Sequence, residues 1–120
     1  MLCAISELLS GRWKGLYQIL LPTGFGKTHA FEVSLDVQAN GIISGTGQDV
    51  KEKEPDVDFS INGGWDSSGR TVLFTKSYVE GSDLFYRGSL HSNNTISGGW
   101  TLGTDVSGTF SLEPGKSREG

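Results

Sequence analysis

Apolar and polar residues alternate with period two along most of this chain. The clearest run sets Phe31, Val33, Leu35, Val37 and Ala39 against Glu32, Ser34, Asp36 and Gln38. Successive side chains of an extended strand point to opposite faces, so this run predicts a half-buried strand. Asn40-Gly41 follows and predicts a tight hairpin with positive φ at both turn positions, and 42–50 predicts the returning strand. Similar runs predict strands over 12–20, from Val57 through Phe59 and Ile61, and over 70–79, 84–90, 95–102 and 106–113. Between them lie turn signals: 22–27 with Pro and two Gly, the charged stretch 51–55, 66–69, 80–83, 91–94 and 103–105.

A five-residue figure recurs within these strands: apolar, polar, Gly, any residue, apolar. It appears as Trp13-Lys14-Gly15-Leu16-Tyr17, Ile61-Asn62-Gly63-Gly64-Trp65 and Tyr86-Arg87-Gly88-Ser89-Leu90. It returns as Ile96-Ser97-Gly98-Gly99-Trp100 and Val106-Ser107-Gly108-Thr109-Phe110, with a weaker copy at Ile43-Ser44-Gly45-Thr46-Gly47. In each copy one face carries a Gly between two apolar groups. Inward glycines let a sheet bend tightly, with neighbouring aromatics covering the bare backbone. Eight short strands with short connections cannot be parallel, because parallel pairing needs long crossovers. The pattern predicts an all-β chain: an eight-stranded antiparallel up-and-down meander closing into a small barrel. A β-sandwich is the alternative. The barrel is expected over 12–113, with an N-terminal leader or plug over 1–11 and a polar tail over 114–120.

Composition narrows the function classes. The chain has 120 residues, enough for one domain with a real core, and 18 of them are Gly against 3 Pro. Its formal net charge is −4 and it holds no basic run, which argues against a nucleic-acid surface. No stretch approaches the roughly 20 apolar residues of a membrane helix. Residues 1–9 lack the basic start and the length of a signal peptide. With Cys3 as the single cysteine, a cytoplasmic location is expected.

Several motifs invite sharper readings. Leu21-Pro22-Thr23-Gly24-Phe25-Gly26-Lys27-Thr28 resembles the phosphate-binding loop of superfamily-2 helicases. That loop works only between a strand and a helix whose N-terminus cradles phosphate. Here Thr28 onward alternates with period two, so a hairpin loop is expected instead. Asp56, Asp58, Ser60 and Asn62 have the spacing of calcium ligands, but Ile61 stands where an EF-hand loop requires Gly. The polar face of a strand gives the same spacing. Asn93-Asn94-Thr95 fits a glycosylation acceptor and is read as a turn. The two histidines, His29 and His91, sit at strand or loop edges, and no nucleophile, base and orienting group come together. No catalytic residue, metal site or cofactor is expected.

Gly11-Arg12-Trp13 at the entrance to the first strand resembles the Gly-x-Trp of the calycin barrels, which include lipocalins, fatty-acid-binding proteins and avidins. The length and the eight-strand meander resemble avidins. The resemblance implies a barrel with Trp13 closing one end. Calycins often set an Arg of the last strand against that Trp, and 106–113 holds none, Arg118 lying in the tail. The polar constellation that holds biotin in avidins is not recognisable here.

Lys76 interrupts the apolar row Val72, Phe74 and Tyr78. Leu84, Tyr86 and Leu90 form the matching row on the next strand. Period two carries Lys76 inward with its neighbours, and an inward ammonium needs a polar partner. Tyr86 is the nearest hydroxyl on the adjacent strand, and Asp49, in line with Ile43 and Gly45, is the candidate ion partner. The expected function is non-enzymatic: a barrel binding a small, partly apolar ligand, lined by Tyr17, Lys76, Tyr78, Tyr86 and Trp100. The alternative is a filled barrel that binds another protein, as one part of a larger chain.

Overall fold

The alternating stretches form eight strands in a computed structural model of the protein, which describes residues 9–50, 56–66, 68 and 70–115. They are β1 (Gly11–Leu21), β2 (Gly24–Val37), β3 (Ile42–Val50), β4 (Val57–Asp66), β5 (Thr71–Tyr78), β6 (Asp83–Leu90), β7 (Ile96–Leu102) and β8 (Val106–Pro114). Each pairs antiparallel with the next, and β8 pairs with β1, so the sheet closes into a barrel rather than splitting into a sandwich.

Closure at this small size depends on the repeated glycines. The register sets Gly15 against Phe31, Gly47 against Phe59 and Gly63 against Phe74. It also sets Gly98 against Phe110 and Gly108 against Trp100. At Gly15, Gly47 and Gly108 the ring of the facing residue fills the space a Cβ would take, and the Phe110 ring does so at Gly88, as expected where a sheet is sharply coiled. At Gly98 the backbones approach so closely that a Cβ would overlap the Arg87 carbonyl oxygen and come within 2.6 Å of the Gly88 Cα. A Cβ at Gly108 would overlap the Gln18 carbonyl and lie 2.7 Å from the Trp100 indole.

Two turns differ from their sequence expectation. The chain does not loop over 22–27. Leu21 pairs with Gly24 across a two-residue turn at Pro22-Thr23, and Leu20 pairs with Phe25. Gly24 and Gly26 break the apolar alternation, so this half of the strand has no period-two signature. Thr28 lies in β2 rather than at a helix N-terminus, which removes the phosphate-loop geometry. At Asn40-Gly41 the hairpin is wider than a two-residue turn. Gly41 N donates to Gln38 O and Gln38 N to Ile42 O, both at 2.9 Å. Gly41 has φ +94°, while Asn40 is not among the residues with positive φ. Ala39 therefore sits exposed in the turn and not on the inner face. This arrangement, a turn closed by a left-handed glycine, keeps Val37 opposite Ile43 with both side chains buried.

One end of the barrel is closed by apolar side chains. Leu9 and Trp13 are buried there, and Trp13 Nε1 donates to the Leu9 carbonyl at 2.8 Å. Ser10 Oγ accepts from Val37 N at 2.9 Å. Of the leader expected over 1–11, residues 1–8 lie outside the described residues, and Gly11 already belongs to β1. Residues 116–120 of the expected tail and the charged stretch 51–55 also lie outside them. Gly115 N donates to the Arg12 carbonyl at 2.7 Å, tying the end of β8 to β1.

The lumen is filled by rings. Phe74 stacks on Tyr86 at 4.9 Å, and Phe110 meets Tyr86 edge-on at 4.8 Å. Phe31 meets Phe59 edge-on at 5.8 Å. Offset and edge-on contacts of this kind are the favoured aromatic geometries.

Candidate functional site

Toward the other end the interior changes character. The last inward positions of β3 and β5 are polar: Asp49, then Lys76 and Tyr78. Alternation leaves these side chains no outward choice, because Ile43 precedes Asp49 and Val72 and Phe74 precede Lys76 on the same faces. Lys76 is 0% exposed and Asp49 4%. Lys76 Nζ lies 2.9 Å from Asp49 Oδ1, closing an ion pair between strands that are not neighbours. The other carboxylate oxygen, Oδ2, accepts from Tyr78 Oη at 2.5 Å and from Tyr17 Oη at 3.4 Å.

Aromatic faces enclose the ammonium. Lys76 Nζ stands 4.2 Å from the centre of the Phe31 ring, 4.4 Å from Phe59 and 4.6 Å from Tyr17. A desolvated cation is favoured over such faces. The environment also holds the phenols neutral. Burial, with the Asp49 charge second, pushes Tyr17 up to about 12. Burial first and the Asp49 hydrogen bond second push Tyr78 far above the usual tyrosine range, and burial does the same for Tyr86.

All five residues singled out in the sequence meet in this cluster. Tyr17 and Tyr78 are half-buried at the mouth. Lys76 lies beneath them, with its Nζ 5.7 Å from the Tyr86 ring centre. Trp100 meets Tyr17 edge-on at 6.1 Å and stacks on Tyr86 at 6.4 Å. The hydroxyl next to Lys76 is not that of Tyr86. Stacking on Phe74 directs the Tyr86 ring, and its hydroxyl is buried with no hydrogen-bond partner among the described residues. Asp49 takes the part of ion partner. Phe31 and Phe59 read as core in the sequence. Only the closed barrel shows that they also face the ammonium.

His29 stacks on Tyr17 at 5.1 Å, at the edge of the mouth. His91 is remote, paired with Ser97 Oγ at 2.7 Å on the outer wall. Asp58 lies on the outer face of β4 and accepts from Gln48 at 2.9 Å, as a strand's polar face does. Asn94 has φ +66°, and Asn93 Oδ1 accepts from Thr95 Oγ1 at 2.6 Å, so 93–95 is a turn.

The fold and this interior define an eight-stranded antiparallel β-barrel. A solved structure described as a redesigned β-barrel matches it with a TM-score of 0.77, covering 96% of this chain and 98% of that one at 13% identity. At that identity the likeness is one of fold. No family model and no curated protein matches the chain.

Proposed function

We propose that the protein is a non-enzymatic binding barrel whose site is its mouth. The ligand is a small, partly apolar molecule carrying a hydrogen-bond donor. One observation carries the reading: a buried carboxylate–ammonium pair roofed by two half-exposed tyrosines. Apolar side chains in these positions would make a core at least as stable, because taking two charges out of water is expensive. A polar cluster with shifted phenols at the end of a barrel is where a binding site is expected. Tyr17 Oη reaches Asp49 only at 3.4 Å, near the limit of a hydrogen bond. A ligand donor replaces it by swinging the Tyr17 ring outward. The filled lumen supports the mouth, rather than the deep interior around Tyr86 and Trp100, as the ligand's place. It also supports a second reading, an interaction module that binds another protein.

Protein-observed NMR with phenol, benzylamine and toluene as probes tests the ligand reading. Saturable shifts of Tyr17, Asp49 and Tyr78 with phenol or benzylamine, and weaker ones with toluene, are expected. No saturable shift at these residues with any probe overturns it.

A further inference from the structure

On the outer wall of the barrel an apolar strip runs from β3 across to β6. Leu73 on β5 is 47% exposed and Phe85 on β6 55%. They are diagonal neighbours on one face, since Leu73 stands opposite Arg87 and Phe85 opposite Thr75. Ile42 on β3 is exposed in the same row as Leu73, with the bare Gly64 between them. Thr75 and Thr101 flank Phe85, and Gly99 lies beside Arg87. These small neighbours leave the Phe85 ring standing above the wall. A contiguous apolar strip rimmed by polar residues marks an interaction surface.

Charge selects the occupant. Buried and exposed residues alternate along the whole of β6, so Asp83, Phe85 and Arg87 share its outer face. An acid and a base thus flank Phe85 symmetrically, two residues to either side. They cannot meet each other, being about 13 Å apart at roughly 3.3 Å per residue. The cross-strand neighbour of Asp83 is Ser77, and those of Arg87 are Leu73 and Gly99, so no opposite charge stands beside either. Among the described residues neither takes part in an ion pair. A second copy supplies both missing partners at once. A two-fold axis at Phe85, lying in the contact plane and perpendicular to the strand, lays β6 of one copy antiparallel over β6 of the other. Phe85 then meets Phe85 of the second copy, Asp83 meets its Arg87 and Arg87 meets its Asp83. Such a patch is self-complementary, as a closed two-fold dimer requires. A parallel placement sets Asp83 on Asp83 and Arg87 on Arg87, which repels.

We infer that the protein forms a two-fold dimer through the outer wall at β5 and β6, centred on Phe85 and flanked by two Asp83–Arg87 ion pairs. Barrel closure has already paired every strand on both sides, so the contact is face to face and adds no strand. Two convex walls touch over a limited area, so the dimer is weak and dissociates on dilution. The antiparallel arrangement points the two mouths in opposite directions and leaves both free. The inference goes beyond the binding reading and does not rest on it.

Sedimentation equilibrium of the full chain, from micromolar to millimolar, tests it. A monomer–dimer equilibrium is expected, and Phe85→Ser is expected to weaken it about tenfold or more. Asp83→Arg and Arg87→Asp, made in separate chains, each bring like charges together and are expected to be monomeric. Mixed in equal amounts, these two variants are expected to form a heterodimer, since one wall is then wholly basic and the other wholly acidic. Both substitutions in one chain are expected to restore the homodimer. All three positions are exposed, so the variants are expected to keep the parent's circular dichroism. A monomer at every concentration overturns the inference. So does a dimer that Phe85→Ser leaves intact, or a mixture of the two charge variants that stays monomeric. None of these side chains faces the lumen, so the outcome is separate from that of the mouth probes, which report on Tyr17, Asp49 and Tyr78.

Discussion

Lys76 and Asp49 belong to strands separated by β4, yet their charged atoms meet at 2.9 Å inside the barrel. Both side chains reach into the lumen from the two strands that flank β4. Both groups are buried, so each depends on the polar and aromatic groups that surround it in the barrel.

Removing one partner is therefore expected to destabilise strongly. Lys76→Met leaves a buried carboxylate held only by tyrosine hydroxyls, with an expected loss of about 3–5 kcal/mol. Lys76→Met combined with Asp49→Leu removes the desolvation cost of both charges. The double variant is expected to match the parent or exceed it by about 1–4 kcal/mol. Urea denaturation of the two variants checks this. A harmless single Lys76→Met contradicts the coupling.

Stability is expected to fall in alkali. Tyr17 sits at about 12 in the folded barrel against 10.0 ordinarily, and Tyr78 and Tyr86 are raised as well. A group whose folded pKa is raised contributes stability that is complete below its unfolded value. That contribution disappears as pH climbs from about 10 toward the folded values. These are the chain's 3 tyrosines. Difference spectroscopy is expected to show no normal tyrosine titration in the native protein, and tyrosinate appearing together with unfolding.

Gly98 tests the close approach of β6 and β7. Gly98→Val forces a branched side chain into the Arg87 carbonyl and the Gly88 Cα, with an expected loss of about 1–3 kcal/mol. Ser111→Val, on the exposed outer face of β8, is expected to stay within about 0.5 kcal/mol. Thermal melts of the two variants distinguish a built glycine seam from a coincidence of composition.

Gly41 tests the β2–β3 turn. Its φ of +94° and the Trp65 carbonyl oxygen, 2.9 Å from where a Cβ would lie, both oppose a side chain. Gly41→Ala is expected to lose about 1 kcal/mol or more, while Asn40→Gly is expected to change stability by less than about 0.5 kcal/mol.

The alternation of Phe31 to Val37 with Glu32 to Asp36, and the Gly figure from Trp13 to Phe110, by themselves determined eight antiparallel strands and which side chains face inward. Period two admits one inner face per strand, so Lys76 and Asp49 were committed to the interior by their apolar neighbours. What faces them across the lumen was decided by the tertiary structure, because strand register and barrel curvature bring β3 and β5 together in a way that spacing along the chain does not encode. The same holds for the Phe31 and Phe59 faces on the ammonium and for the Tyr86 hydroxyl, which stacking on Phe74 turns away. Hairpin detail was decided there too. Gly24 and Gly26 carry no side chain to alternate, so the extension of β2 back to Gly24 became visible only through its pairing with β1. Ala39 left the inner face because the wider turn was needed to keep Val37 opposite Ile43.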